Sequence, residues 1–313
     1  MFNAQHRPLV ASLSASKTRS VVMMATPAGK LKVVVTGAGG RTGSLVMKKL
    51  LERSDEYEAI GILRSEKSAR QLKEWGAADS NIFLGDILGD NGAAVLAEAL
   101  KGADRLVVCT SAVPKIKPFS LVPVILAKIF KKEGVRPKFT FKENQLPEQI
   151  DWMGQKMQFD AAKAAGVEKC VVVGSMGGTD RDNFLNTIGD GNILVWKRRA
   201  EAYLLKSGLN FTVIHPGGLK DDEGGKRELV LDVDDNLISS KSKYRSIPRG
   251  DVAELCVQML RVGGAAFDRR AIDVVAKDVG DGQPTTDFVG LLEKMDKNCS
   301  YKDMEGDEIL AKF

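Results

Sequence analysis

No aspartate or glutamate occurs before Glu52, whereas Arg7, Lys17, Arg19 and Lys30 fall in that stretch together with Ser12, Ser14, Ser16 and Ser20. An acid-free, basic, serine-rich start has the composition of a mitochondrial or plastid presequence. An ordinary disordered tail is the alternative for residues 1–30. Leu9–Leu13 is too short an apolar run for a secretory signal. Histidine is almost missing: the chain has 2, His6 and His215, far apart, which argues against a zinc site, and no metal is expected. The 4 cysteines, Cys109, Cys170, Cys256 and Cys299, form no CxxC pair, so a reduced compartment is the simplest reading. No charge-free apolar run reaches the roughly 18 residues that a membrane-crossing helix needs. A net charge of +5 is too mild to argue for nucleic acid by itself, and no aromatic–basic platform is visible.

What is present is a strand–helix rhythm. Of the 313 residues, 43% are apolar and 28% charged, an ordinary balance for a globule with a sizeable core. Strands are predicted at Leu31–Thr36, Tyr57–Leu63, Asn81–Leu84, Arg105–Thr110, Lys169–Val173 and Phe211–Ile214, with Glu228–Val233 and Arg270–Val275 as later pieces. Helices are predicted over Thr42–Arg53, Ala69–Trp75, Ala93–Leu100, Gln149–Ala165, Ile193–Ser207, Asp251–Leu260 (with Asp251 as N-cap) and Asp287–Met295. Alternation of this kind implies an α/β fold, a doubly wound parallel sheet with helices on both faces. The strands are continuous apolar runs, as strands buried on both sides should be. One domain over 31–278 is expected, interrupted by a basic, apolar insertion at 113–147 and followed by a C-terminal helix and tail at 279–313.

The stretch Thr36-Gly37-Ala38-Gly39-Gly40-Arg41-Thr42-Gly43 follows the first strand and opens a helix. Glycines there allow a sharp turn and close approach of a pyrophosphate to the helix N-terminus, where unpaired N–H groups meet its charge. Gly37, Gly39, Gly40, Arg41, Thr42 and Gly43 are therefore candidate dinucleotide ligands. At the end of the second strand an NAD site would place an acid; Arg64 stands there instead and suits the 2′-phosphate of NADP, although Glu66 nearby would repel it. NADP is thus the expected cofactor and NAD the alternative. Asp86 is placed to meet the adenine ring, and Thr110 and Ser111 to line the middle of the cofactor.

On these motifs, and on Thr110–Pro114, Pro147–Trp152, Val173–Gly178, Gly191–Arg198, Gly217–Leu219 and Ile247–Val252, the chain resembles the extended or atypical branch of the short-chain dehydrogenase/reductase superfamily. Within it, the chain is similar to a plant and algal group of chloroplast-associated NAD(P)-binding proteins. The resemblance implies the Rossmann fold, dinucleotide binding and a plastid location. It also implies an active site of Ser, Tyr and Lys. Ser175 and Lys197 fit the first and last, but Ile193 stands where YxxxK needs its tyrosine. Without that phenol, conventional alcohol–ketone turnover should be absent or slow, since positioned proton transfer is typically worth ~10²–10⁴ in rate. Lys197 would touch the nicotinamide ribose. His215, before Pro216 and Gly217 at the expected crevice edge, is a candidate replacement acid, with a structural strand-end histidine as the plainer reading. Two functions stay open: an NADP-dependent oxidoreductase or isomerase acting on a small carbonyl or quinone, and a dinucleotide sensor. The insertion, with Lys115, Lys117, Lys128, Lys131, Lys132, Arg136, Lys138 and Lys142 around Phe119–Phe130, reads equally as a peripheral membrane contact, a lid, or a helix packed on the core.

Overall fold

The computed structural model describes residues 22–23, 29–124, 134–239, 242–263 and 268–301. Eight strands form the central sheet: β1 Leu31–Thr36, β2 Tyr57–Leu63, β3 Ile82–Leu84, β4 Arg105–Val108, β5 Lys169–Val173, β6 Phe211–Pro216, β7 Leu229–Asp232 and β8 Arg270–Ala276. Their spatial order is β3-β2-β1-β4-β5-β6-β8-β7, and every pair is parallel except β7 against β8. The order reverses between β1 and β4, which is where an open α/β sheet leaves a crevice for a ligand. The expected doubly wound parallel sheet is what the chain forms.

The helices are α1 Gly43–Leu51, α2 Glu66–Glu74, α3 Gly92–Ala99, α4 Gln155–Ala164, α5 Ile193–Ser207, α6 Arg249–Met259 and α7 Phe288–Glu293. Alternation along β1 explains why both faces are covered. Val33 and Val35 point to one side and pack with Val46, Met47 and Leu50 of α1 and with Val252, Leu255 and Cys256 of α6. Val34 points to the other side, to the cluster of Leu96 of α3, Phe159 of α4 and Leu204 of α5. A side-chain period of two forces this split.

Several boundaries differ from expectation for local reasons. α2 starts earlier than Ala69 because Ser65 caps it, its Oγ accepting from the Ser68 N–H at 3.1 Å. α6 starts at Arg249 after Pro248, and Asp251 is not its cap; its Oδ1 instead accepts the Gly225 N–H at 2.5 Å. β4 stops at Val108, short of Thr110. The N-terminal tail contributes a two-residue strand, Val22–Met23, antiparallel to Val262–Gly263. It arises in Val21-Val22-Met23-Met24, a β-branched, apolar run in an otherwise polar stretch. In the insertion, Lys115–Ile116 pairs antiparallel with Phe139–Thr140, and Pro118–Ser120 forms a 3₁₀ turn. Lys128, Lys131 and Lys132 lie outside the described residues. No helix among the described residues is long and apolar enough to cross a membrane.

Candidate functional site

At the C-terminal end of β1 the backbone reverses at Gly37, whose φ of +68° favours glycine. A Cβ there would come within 2.9 Å of the Cys109 carbonyl group, and one at Gly43 within 2.2 Å of the Gly37 carbonyl oxygen. A side chain at Gly37 would push the turn off the backbone after β4, and one at Gly43 would push it off the first turn of α1. Gly40 N–H donates to Gly37 O at 2.8 Å and closes the loop. Gly39 sits close to Ser68, so the turn, β2 and α2 meet at one corner. The result is a cradle free of side chains in front of a helix N-terminus, the shape and polarity that a pyrophosphate requires.

Arg64 and Asp86 meet at that corner, with Nη1 and Oδ2 3.3 Å apart and both side chains well exposed. Asp86 Oδ1 also accepts the Leu88 N–H at 3.1 Å. Arg41 projects from the glycine turn to Asp221, which also holds Arg249 at 2.5 Å. Arg41 and Asp221 are exposed and Arg249 is largely buried, and together they tie the turn to the start of α6. Thr110 is reached from α4: Gln158 Nε2 donates to its Oγ1 at 3.1 Å, and Gln155 Nε2 to its carbonyl at 3.3 Å. Gln158 Oε1 in turn accepts from Thr36 Oγ1 at 2.5 Å, fastening α4 behind both β1 and β4.

A cavity of about 240 Å³ opens beside the cradle. Thr42, Cys109, Ser111, Ser175 and Lys197 supply its polar lining, while Pro114 and Phe141 of the insertion and Ile188, Ile193 and Leu219 make it apolar. Ser111, Ser175 and Lys197 are thus brought together as the sequence suggested. Pro216 and Gly217 are not; they belong to the sheet, Gly217 N–H donating to Val274 O at 2.9 Å, and Leu219 reaches the cavity in their place. Among the described residues no tyrosine, histidine or carboxylate lines it. The ionisable groups among its described lining residues are Lys197 and the Cys109 thiol, which burial pushes up to about 12 despite the nearby Lys197 charge.

Lys197 is 6% exposed. Its Nζ lies 2.7 Å from Oδ1 of Asp151, itself fully buried. Asp151 comes from a π-helical turn, Glu148–Gly154, that leads into α4. The wider turn carries Ile150, Asp151 and Trp152 inward together, and the other Asp151 oxygen accepts the Ala112 N–H at 3.0 Å. Asp151 is therefore the carboxylate that lets a lysine sit in an apolar wall. Sequence reasoning did not single it out; an acid inside the apolar run Ile150–Met153 was the available signal.

His215 does not face the cavity. It is 3% exposed, with Nε2 3.0 Å from Glu201 Oε1 and Nδ1 3.1 Å from Asp273 Oδ1. Burial alone would lower its pKa, but the Glu201 and Asp273 carboxylates outweigh that and hold it at about 10, so the ring is a buried imidazolium. For Glu201, burial opposes ionisation, and the charges of His215 and Arg198 overcome it, taking the carboxyl to about 2. The chain of bonds continues. Arg198 donates to Glu201 at 2.9 Å, Asp273 accepts the Asp235 N–H at 2.7 Å, and Asp235 accepts the N–H groups of Gly177 at 2.6 Å and Thr179 at 2.9 Å. Those last two bonds hold the loop after β5 that carries Ser175. Glu201, Asp273 and Asp235 were also missed, because each lies on a different element and nothing local marks it as buried.

A profile of the NAD(P)H-binding family matches residues 37–262. The chain belongs to that family. Its fold is the Rossmann kind that this family shares with NAD(P)-binding solved structures. An uncharacterised chloroplastic protein of Arabidopsis thaliana is 44% identical over 94% of this chain and 82% of its own length. The sanguinarine reductase of Eschscholzia californica is 44% identical over 87% of this chain and 98% of its own length. A short-chain dehydrogenase/reductase of Veillonella parvula solved with NADP superposes with a TM-score of 0.54 at 15% identity, covering 82% of this chain and 99% of that one. The family's dinucleotide fits the residues present: the glycine turn packs tightly against the N-terminus of α1, and Thr42 of that turn and Lys197 both line the cavity.

Proposed function

We propose that the protein is a plastid NADPH-dependent reductase acting on a flat, apolar, quinone-like acceptor. The carrying observation is the cavity lining: Ile193 occupies the wall where a phenol would stand, and among the described residues no carboxylic acid, histidine or tyrosine replaces it. An aliphatic ketone needs a proton as the hydride arrives, because the alkoxide is a strong base. A quinone does not, since its product anion is delocalised and is protonated later by water. NADPH supplies the hydride when bound. The protein's own part is then positioning and electrostatics. Phe141, Pro114, Ile188 and Leu219 enclose the acceptor and exclude water. Lys197, held by Asp151, keeps a positive charge beside the developing oxyanion, and Ser175 offers a hydroxyl to the same oxygen. Arg64 takes the 2′-phosphate of NADP, and Asp86 neighbours the adenosine end. In this reading His215 positions the Ser175 loop through its buried network and donates no proton. The 44% identity to a reductase supports reduction as the reaction, and the chloroplastic relative, with the acid-free N-terminal composition, supports the plastid.

The test is NADPH oxidation with a water-soluble short-chain quinone and with a saturated ketone of similar size. Quinone reduction that falls at least about 10²-fold in Lys197→Ala and Ser175→Ala, with the ketone inert, is the expected result. Turnover of the ketone at a rate like that of the quinone would sink the reading. Absence of turnover with both, alongside tight NADPH binding, would favour a dinucleotide sensor.

A further inference from the structure

The insertion that walls the cavity also carries an unusual outer surface. Val113, Ile116, Phe119, Leu121, Val122 and Val135 are all exposed there, Phe119 by 91%. The turn that presents Phe119 is fixed. Ser120 Oγ donates to Lys117 O at 2.6 Å and accepts the Lys138 N–H at 2.9 Å, and Lys117 N–H donates to Lys138 O at 2.9 Å. Lys115, Lys117, Arg136 and Lys138 are exposed around this tip, and none has a carboxylate within ion-pair distance among the described residues. Arg136 lies over the ring of the exposed Phe184, 5.0 Å from its centroid, extending the apolar area. From Val113 to Lys142 the sequence has a single acidic residue, Glu133.

Large apolar side chains exposed in this number on one short segment mark an interaction site more often than chance surface. A second copy is a poor occupant, because a two-fold contact would bring the same cations face to face. Apolar side chains at a rigid tip with lysine and arginine at its flanks suit an interface where hydrocarbon lies beneath negative phosphates.

We propose that this insertion docks the protein on an anionic lipid bilayer. Phe119, Leu121 and Val122 enter the headgroup–acyl boundary, and Lys115, Lys117, Arg136 and Lys138 lie against lipid phosphates. Since Pro114 and Phe141 of the same insertion line the cavity, docking brings the cavity wall to the place where an apolar acceptor concentrates. The docking itself is read without turnover, so it stands or falls apart from the reductase reading.

The experiment is co-sedimentation of the full chain with vesicles of phosphatidylcholine alone and with a third of that lipid replaced by phosphatidylglycerol. Binding to the anionic vesicles alone, weakening as salt rises, is the expected result. Phe119→Ala should weaken it roughly tenfold, each of Lys115→Gln and Lys117→Gln roughly fivefold, and Phe119→Glu should abolish it. All of these side chains are exposed, so NADPH titration, read in parallel, should match wild type and certify the fold. No binding to anionic vesicles, or equal binding by wild type and Phe119→Glu, overturns the proposal. So does a wild-type dimer that light scattering shows to become monomeric in Phe119→Glu, which would mean that a second copy covers the patch.

Discussion

Replacing His215 by glutamine removes the one positive charge that separates Glu201 from Asp273 and leaves two carboxylates at the ends of an amide. Removing one member of a buried charged pair typically costs ~3–5 kcal/mol. Arg198 still contacts Glu201 at 2.9 Å, so the lower part of that range applies, about 3 kcal/mol. For a domain of this size each kcal/mol moves the melting temperature by roughly 2–4 °C, so a fall on the order of 10 °C is expected by differential scanning calorimetry. The pH dependence gives a second signature. The folded-state pKa of His215 is raised, to about 10 from 6.5. The stability it contributes is therefore fully present below the unfolded value and is lost as pH rises towards the folded one. The gap in melting temperature between wild type and His215→Gln should be widest just below pH 6.5 and should close as pH rises towards 10. Measured well below both melting temperatures, NADPH oxidation should survive, with its pH profile unmoved. If the variant melted within about 1 °C of wild type while losing turnover, the buried-cation reasoning would be refuted and His215 would be the proton donor.

Four more outcomes follow, three from side-chain contacts and one from the N-terminal strand. Asp151→Asn should destabilise the fold by about 3 kcal/mol, by stranding the Lys197 ammonium in an apolar wall, and Asp151→Asn combined with Lys197→Met should recover part of it; equal melting of the single and double variants would count against the pair. Arg64→Asp should weaken NADPH binding ~10–100-fold and improve NADH binding. Asp86→Asn should change NADPH affinity by no more than about fivefold, because an exposed pair such as Arg64–Asp86 is worth ~0–1 kcal/mol; calorimetric titration checks both, and unchanged cofactor preference in Arg64→Asp would remove the NADP assignment. Deleting residues 1–20 should leave the melting curve unchanged, whereas deletion through Ala28 also removes the Val22–Met23 strand and should lower it slightly, by under about 1 kcal/mol; a large loss from the first deletion would show that the N-terminal segment belongs to the fold.

The parts of this molecule that were legible are those whose causes lie close together in the chain. β5 and α5 match their predicted bounds because their punctuation is local: a β-branched run for one, and for the other Gly208 in the left-handed region at φ +83°. The cradle was legible for the same reason, since the glycines that must lack side chains stand within one turn. The π-helical turn was not, because no hydrophobic period of 3.6 or 2 announces a five-residue hydrogen bond. Nor was the fate of His215: its partners Glu201 and Asp273 lie 14 and 58 residues away, and an acid that will be buried looks the same in sequence as one that will be solvated.

The non-local contacts nevertheless converge on one helix. Lys197 and Glu201 are four residues apart on α5 and so share a face, and Arg198 lies beside them. Lys197 turns to Asp151 at the cavity wall; Arg198 and Glu201 turn to the imidazolium whose network ends on the backbone of the Ser175 loop. α5 thereby fixes both polar groups that an acceptor oxygen would meet, one directly and one through buried carboxylates. Ile193, at the start of the same helix, presents an apolar side chain to the same cavity. Lys197 lines the same cavity but is already held by Asp151 at 2.7 Å, so a tyrosine in place of isoleucine would add a phenol whose nearest cation is engaged elsewhere. Ile193→Tyr is accordingly expected to narrow the cavity and slow quinone reduction without conferring ketone reduction; ketone turnover by that variant, followed as NADPH oxidation, would show instead that the site lacks only the proton donor.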